Sequence, residues 1–538
     1  MDRLTRISEV STRGGAYRWY VLVVLMAALA FSLVDRQILT ILAGPIKADL
    51  HLTDAELGLL YGTSFAVFYA LFGVPLGRLA DSWVRTKLMA LGLFGWSCFT
   101  LMSGFAANLV QLGIARMGVG VGEASANPAA YSLISDYFPK EKRATAIAVY
   151  TLGVSFGLGG SLWLGGSIVD WWNGMFPHGT APLGLKAWQA AFVIVGLPGV
   201  LLSALIVSLR EPPREQARGG ALLGLMVDIF AILPPLTLIQ LAALKARAET
   251  WRAHVMVTAL VVVAAIVLTH FTDAVTPPSK LHVLLRFNNM TITSNALQWT
   301  ALAVGVYGLF SWAQGLSLRD APTFALIWRS PTMVPLLGAA ALQMVMAYGL
   351  TAWAPFYAVT KYHLPLARVG FEMGLIAAAA GFIGTYLGGL FADIARRRSV
   401  RGRLYVSFFG QMAPVPLVPV MLSAPTLETM LAWWMAVGTL MTMWFAGTAS
   451  VTQDIVLPRM RGTAAAAHTL VMTMIGLGCG PYIAGLVSDV TGSLFAGICS
   501  VYLAAPLIAA CMIRAIVTLP RTESEILWRA ASAGETIP

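Results

Sequence analysis

Apolar stretches of about 18 to 26 residues recur from end to end of this chain, separated by polar or charged loops. At about 1.5 Å of rise per residue, some 20 such residues cross a hydrocarbon core of about 30 Å, and a helix satisfies its own backbone polar groups there. The pattern predicts an all-α polytopic membrane protein. Composition agrees: 58% of the 538 residues are hydrophobic and 11% charged, and the mean hydropathy is +0.74. A water-soluble globule of that make-up would aggregate.

The runs fall near 19–42, 55–79, 88–106, 109–133, 144–169 and 188–209, then near 332–358, 369–392, 404–423, 428–452, 463–487 and 495–518. Between the two sets of six, further apolar runs occupy 221–241, 254–271 and 297–316. Loop charges require both sets to start on one side, so an even number of these three crosses. Asp228 and Pro234-Pro235 suit 221–241 to an interfacial helix, leaving 254–271 and 297–316 as a transmembrane hairpin and about 14 spans in all. The expected organisation is a six-helix bundle over 1–210, an inserted linker over 211–331, a second six-helix bundle over 332–518 and a cytoplasmic tail over 519–538.

Lys and Arg set the orientation. Alternate loops carry Arg78, Arg85 and Lys87, then Lys140, Lys142 and Arg143, then Arg396 to Arg398, Arg401 and Arg403, then Arg459 and Arg461. The loops between hold little more than Lys47, Lys186, Lys361 and Arg368, so both termini are expected in the cytoplasm. The first run is too long for a signal-peptide core and is expected to remain as a span.

The net charge of +11 sits in short clusters between apolar runs, with no basic stripe or aromatic platform of the kind nucleic acid needs. All four cysteines lie inside apolar runs, which gives no support to a disulfide framework or a CxxC metal site. No nucleophile with a paired His and Asp lies at a membrane face, so the chain reads as no enzyme, with no cofactor or metal.

The sequence repeats itself. Gly77-Arg-Leu-Ala-Asp81 followed by Arg85 recurs as Gly389-Leu-Phe-Ala-Asp393 followed by Arg397. Asp136, Pro139 and Arg143 match Asp454, Pro458 and Arg461, and Gly157-Leu-Gly-Gly with Asp170 matches Gly476-Leu-Gly-Cys with Asp489. Three matches in one order, 312 to 319 residues apart, make the chain two related six-span halves. Two such bundles with a substrate path between them suit alternating access by rocking.

The loop Gly77-Arg-Leu-Ala-Asp-Ser-Trp-Val-Arg85 resembles the signature loop of the major facilitator superfamily. Val34-Asp-Arg-Gln-Ile-Leu39, Ala115-Arg-Met-Gly-Val-Gly-Val-Gly-Glu-Ala124 and Ile134-Ser-Asp-Tyr-Phe-Pro139 are similar to its spinster branch. The resemblance implies a proton-coupled carrier of a lysolipid, sphingoid-like or other amphiphilic substrate, monomeric and set in a bacterial inner membrane. Ser82, Gln189 and the insertion at 210–331 depart from that pattern.

Charges within spans mark mechanism, because each is costly unless paired or facing water. The first half holds Asp35, Arg36, Arg116 and Glu123; the second has none at matching depth. Asp35 and Arg116 each lie about seven residues from the same surface and are expected to pair, with Glu123 about 10 Å deeper on nearly the same face of its helix as Arg116. Burial favours a neutral carboxyl and a nearby arginine the charged form, so movement of the arginine would switch a proton on Glu123. The resemblance implicates these positions in proton-driven transport; a static ion pair joining spans 1 and 4 is the alternative.

Asp81 with Arg85, and Asp393 with Arg397, are expected to latch the cytoplasmic side, each acid facing a helix N-terminus across the halves. Gly153, Gly157 and Gly160, with Gly381, Gly384 and Gly388, place small residues on packing faces. His468 reads as a core residue. Asn127, Gln343, Tyr348 and Trp353 are the candidate cavity lining. A charged half facing an apolar half suits an amphiphile. An organic-anion or drug carrier on the same fold, and a membrane sensor without transport, are the competing readings.

Overall fold

A computed structural model describes residues 15–177, 181–212, 221–288 and 290–535. The first half comprises α1 (Gly15–Leu50), α2 (Asp54–Ser82), α3 (Arg85–Ser103), α4 (Leu109–Glu123), α5 (Ala126–Tyr137), α6 (Lys140–Met175) and α7 (Ala187–Val207). Helix starts follow local chemistry. At α2 the Thr53 hydroxyl accepts from the Glu56 amide while the Glu56 carboxylate accepts from the Thr53 amide, a reciprocal cap. At α4 the Asn108 side chain accepts from the Gln111 amide.

The stretch 109–133, expected as one helix, is two. The chain breaks at Ala124-Ser125, which ends α4 on Glu123 and leaves the Glu123 carboxylate beside a break. Pro128 has no N–H to give the Ala124 carbonyl four residues back, which accounts for the break, and α3 packs tightly there, a Cβ on Gly92 lying 2.0 Å from Ser125 Oγ.

The insertion contains α8 (Ala221–Ile232), α9 (Leu236–Ala243), α10 (Ala248–Val275), a two-stranded antiparallel ribbon of β1 (Val283–Phe287) and β2 (Met290–Thr293), α11 (Ser294–Arg319) and α12 (Ala321–Trp328). Helices α8 and α9 meet at 113° across Pro234-Pro235, where proline ends the first helix. Helices α10 and α11 are the expected hairpin, both longer than the apolar runs alone indicate.

The second half comprises α13 (Met333–Tyr362), α14 (Leu366–Arg398), α15 (Gly402–Ser423), α16 (Leu427–Asp454), α17 (Pro458–Thr491) and α18 (Leu494–Ser524). Helix α17 carries a π-helical turn over Met472–Leu477. The tail adds α19 (Ile526–Ser532), whose Arg529 donates to the Ala325 and Arg329 carbonyls.

Among the described residues twelve helices are long and apolar enough to cross a membrane, α10 and α11 included. Helix α3 and the α4–α5 pair fall short of that measure and fill the third and fourth positions of the first half. The loop end, carrying the α2–α3 loop, and the opposite end, carrying the α1–α2 turn, differ in how the halves meet. At the opposite end glycines let backbones touch. A Cβ on Gly58 would lie 2.4 Å from the Pro481 carbonyl oxygen, one on Gly485 2.2 Å from that of Asp54, and one on Gly370 2.2 Å from that of Leu162. This is the closed end.

Candidate transport site

Glu123 is the centre of the charged cluster. Arg36 Nη2 on α1 donates to Glu123 Oε2 at 2.6 Å, and Ser32 Oγ donates to the same oxygen at 2.9 Å. The Glu123 side chain is fully enclosed while that of Arg36 keeps 12% exposure, so Arg36 stands between the acid and the space outside. Its guanidinium lies 4.4 Å from the Phe65 ring centre and 5.0 Å from that of Tyr69, both on α2. Tyr348 of α13, from the other half, comes near enough to interact with the same charge.

The expected pair of Asp35 with Arg116 is replaced by a different arrangement. Arg116 donates to the main-chain carbonyls of Asp35 at 3.0 Å and Arg36 at 3.5 Å. The Asp35 carboxylate lies against Trp96 and Thr100 of α3, and its Oδ1 has no hydrogen-bond partner among the described residues. Adjacent helical residues point about 100° apart, so one of Asp35 and Arg36 faces Glu123 and the other turns to α3.

Asn127 lies among tyrosines of the first half. The Asn127 amide donates to Tyr69 Oη at 3.4 Å and its oxygen accepts from Tyr150 Oη at 2.9 Å, with Tyr131 edge-on to Tyr150. Gln343 is wholly buried, neither amide atom partnered among the described residues. Trp353 is packed inside the second half, its indole N–H donating to the Pro481 carbonyl at 2.9 Å. Tyr69 and Tyr150 were not singled out from sequence; the spacing of Phe65 and Tyr69, four apart on one helix face, was the available signal. His468 is buried against Trp444 and Phe445, as a core residue.

At the loop end, Arg85 joins Asp136 at 2.5 Å and Ser132 at 3.0 Å within the first half, and Glu211, the first residue after it, at 2.7 Å. The equivalent in the second half is Arg403, which joins Asp393 at 3.0 Å and Asp454 at 2.5 Å. Arg397, expected in that role, is exposed. Arg397 follows Asp393 by four positions as Arg85 follows Asp81, but the residue that bridges the neighbouring acids in the second half is Arg403, ten positions after Asp393. Asp81 is exposed at the C-terminal end of α2.

Carboxylates that meet helix N-termini across the halves are found at the closed end. Asp489 of α17 accepts from the Asp54 and Ala55 amides at 3.2 and 2.7 Å, at the start of α2. Asp170 of α6 accepts from the Ala367 amide at 3.0 Å, at the start of α14. The two are equivalent by the internal repeat, and each places a negative charge where backbone N–H groups and the helix dipole favour it.

A profile of the Major Facilitator Superfamily matches residues 23–476. The chain belongs to that superfamily. As a member it is 24% identical to an MFS-type efflux pump of Mycolicibacterium smegmatis over 481 residues, 88% of this chain and 84% of the relative. It is 28% identical over 204 residues to a D-galactonate transporter of Escherichia coli, and 30% over 211 residues to the niacin transporter of Acinetobacter baylyi, in each case 44% of the relative. Its fold is that of a bacterial homologue of the human lysosomal transporter spinster, solved inward-facing and unoccupied, with a TM-score of 0.63 and 23% identity over 96% of this chain and 98% of that one. The major facilitator protein described here is thus an integral membrane transporter of small substrates with a spinster-like fold, working by alternating access, and not an enzyme.

Proposed function

We propose that the chain is a proton-coupled secondary transporter of a lysolipid or other amphiphile, with Glu123 as the proton site and Arg36 as the group that reads its state. What supports this reading is the Arg36–Glu123 pair, in which the buried acid is reached past a partly exposed arginine. Protonation of Glu123 removes the charge that holds Arg36. The guanidinium is then free to take an anionic head group, with the partly exposed Tyr69 and Tyr348 beside it. Asp35 and Arg116 set the position of α1 against α3 and α4. Asp170 and Asp489 hold the closed end between the halves, and Arg85 and Arg403 order the loop-end helix termini of each half around Asp136 and Glu211, and around Asp393 and Asp454, with Asp81 beside them.

Both termini lie in the cytoplasm of a bacterial inner-membrane protein, a monomer, so the closed end faces outward. The halves are 1–210 and 332–518, with 211–331 inserted and 519–538 following as a tail. An organic-anion substrate is the second reading, favoured by the relatives named for galactonate and niacin. Uptake into proteoliposomes across an imposed proton gradient, with lysolipids in one series and organic anions in the other, tests both. Gradient-driven uptake of a lysolipid supports the first, and uptake of organic anions alone replaces it with the second.

A further inference from the structure

Two residues of the inserted ribbon's approach, two positions apart, each hold a different half at the closed end. Lys280 Nζ reaches Asp489 of α17, 3.0 Å from its main-chain oxygen and 3.3 Å from its carboxylate. His282 Nδ1 lies 2.9 Å from both carboxylate oxygens of Glu56 on α2. Below them α11 lies along the seam between the same two helices. Gln298 accepts from the Thr63 hydroxyl of α2 at 2.6 Å and donates to the Gly478 carbonyl of α17 at 3.0 Å. Asn295 accepts from the Tyr482 hydroxyl at 2.9 Å. Gly305 sits over both Val67 and Met474, and a Cβ there would come within 3.2 Å of each.

We propose that the inserted hairpin is a clasp on the closed end, tying α2 to α17 and obliged to release one of them before that end opens. The Cα atoms of residues 280 and 282 are separated by at most about 7 Å of chain, so the ribbon cannot follow two helices that part by several ångströms. The loop-end side of the hairpin is fixed to the second half. Arg459 donates twice to Asp320, at 2.8 and 3.2 Å, and these bonds hold the Asp320 carboxyl down to about 2. Gly308 of α11 also packs on Leu71 of α2, where a Cβ would lie 2.4 Å from its side chain, so opening must break either the bonds to Glu56 and Thr63 or those to Asp489 and Gly478.

The test is a distance distribution between spin labels on Ala107→Cys and Thr491→Cys, two exposed closed-end sites on opposite halves, in a background lacking the four native cysteines. It needs no substrate and no proton gradient, so it is independent of the transport reading. Lys280→Ala with His282→Ala should raise the long-distance fraction by roughly two- to five-fold per pair, the range for partly exposed ion pairs. Arg286→Ala, an exposed change on the same ribbon, should leave the distribution as it is. A double variant indistinguishable from the parent, or an equal widening by Arg286→Ala, would overturn the clasp.

Discussion

Arg36 and Glu123 form a 2.6 Å ion pair that joins the middle of α1 to the last residue of α4, beside the break that separates α4 from α5. Its two members are unequal, the acid enclosed and the base in part accessible. An acid without its base is able to neutralise itself by taking a proton, whereas a buried arginine is not.

That inequality predicts how Arg36 and Arg116 differ under substitution. Arg36→Gln should still yield folded protein while gradient-driven uptake is lost, because the group that pairs with Glu123 is gone. Arg116→Gln removes charged hydrogen bonds to two main-chain carbonyls and should lower stability by about 1–3 kcal/mol. Thermal unfolding in detergent separates them, and equal losses for both would contradict the assignment.

The closed-end carboxylates should set the balance between the two orientations. Asp489→Ala deprives the α2 N-terminus of its acceptor and should favour opening of that end by about 1–2 kcal/mol. Asp170→Ala should act in the same direction at α14, with a smaller effect from its single bond. Labels across the closed end read both, and an unshifted distribution for Asp489→Ala would remove that residue from the latch.

At the loop end the structure separates two arginines that the sequence leaves equivalent. Arg403→Gln breaks the bridge between Asp393 and Asp454 and should reduce transport per folded molecule several-fold, while exposed Arg397→Gln should leave it near the parental rate. Initial uptake rates check this, and the reverse order would restore Arg397 to the latch.

Sidedness rests on loop charge and is open to direct labelling. Val283→Cys, at the start of the exposed ribbon, should react with an impermeant thiol reagent added to whole cells. Reaction only in inverted vesicles would place the closed end in the cytoplasm.

Much of this architecture was legible because hydrophobic length is a direct image of bilayer thickness, and the two halves and the inserted hairpin follow from it. The α4–α5 break was not, although Pro128 marks it: a run long enough to cross the bilayer reads as one helix, and the missing Pro128 N–H shows only as a local signal. The four intramembrane charges stood out by cost alone, but their pairing depends on side-chain direction about α1. Asp170 and Asp489 were visible as repeat markers, yet nothing in the string says which helix start each one meets. Gln343 and Trp353 look like lining residues by type, and only packing shows them enclosed in the second half.

Glu123→Gln tests the proton site most directly. Gln resembles the protonated carboxyl, so the variant should fold, bind substrate and exchange it down its own gradient, yet accumulate none when a proton gradient is imposed. The measurement is proton-driven uptake per folded molecule in proteoliposomes as a function of pH. The account predicts uptake at background level at every pH for Glu123→Gln beside a pH-dependent parental rate; full gradient-driven uptake by the variant would contradict it.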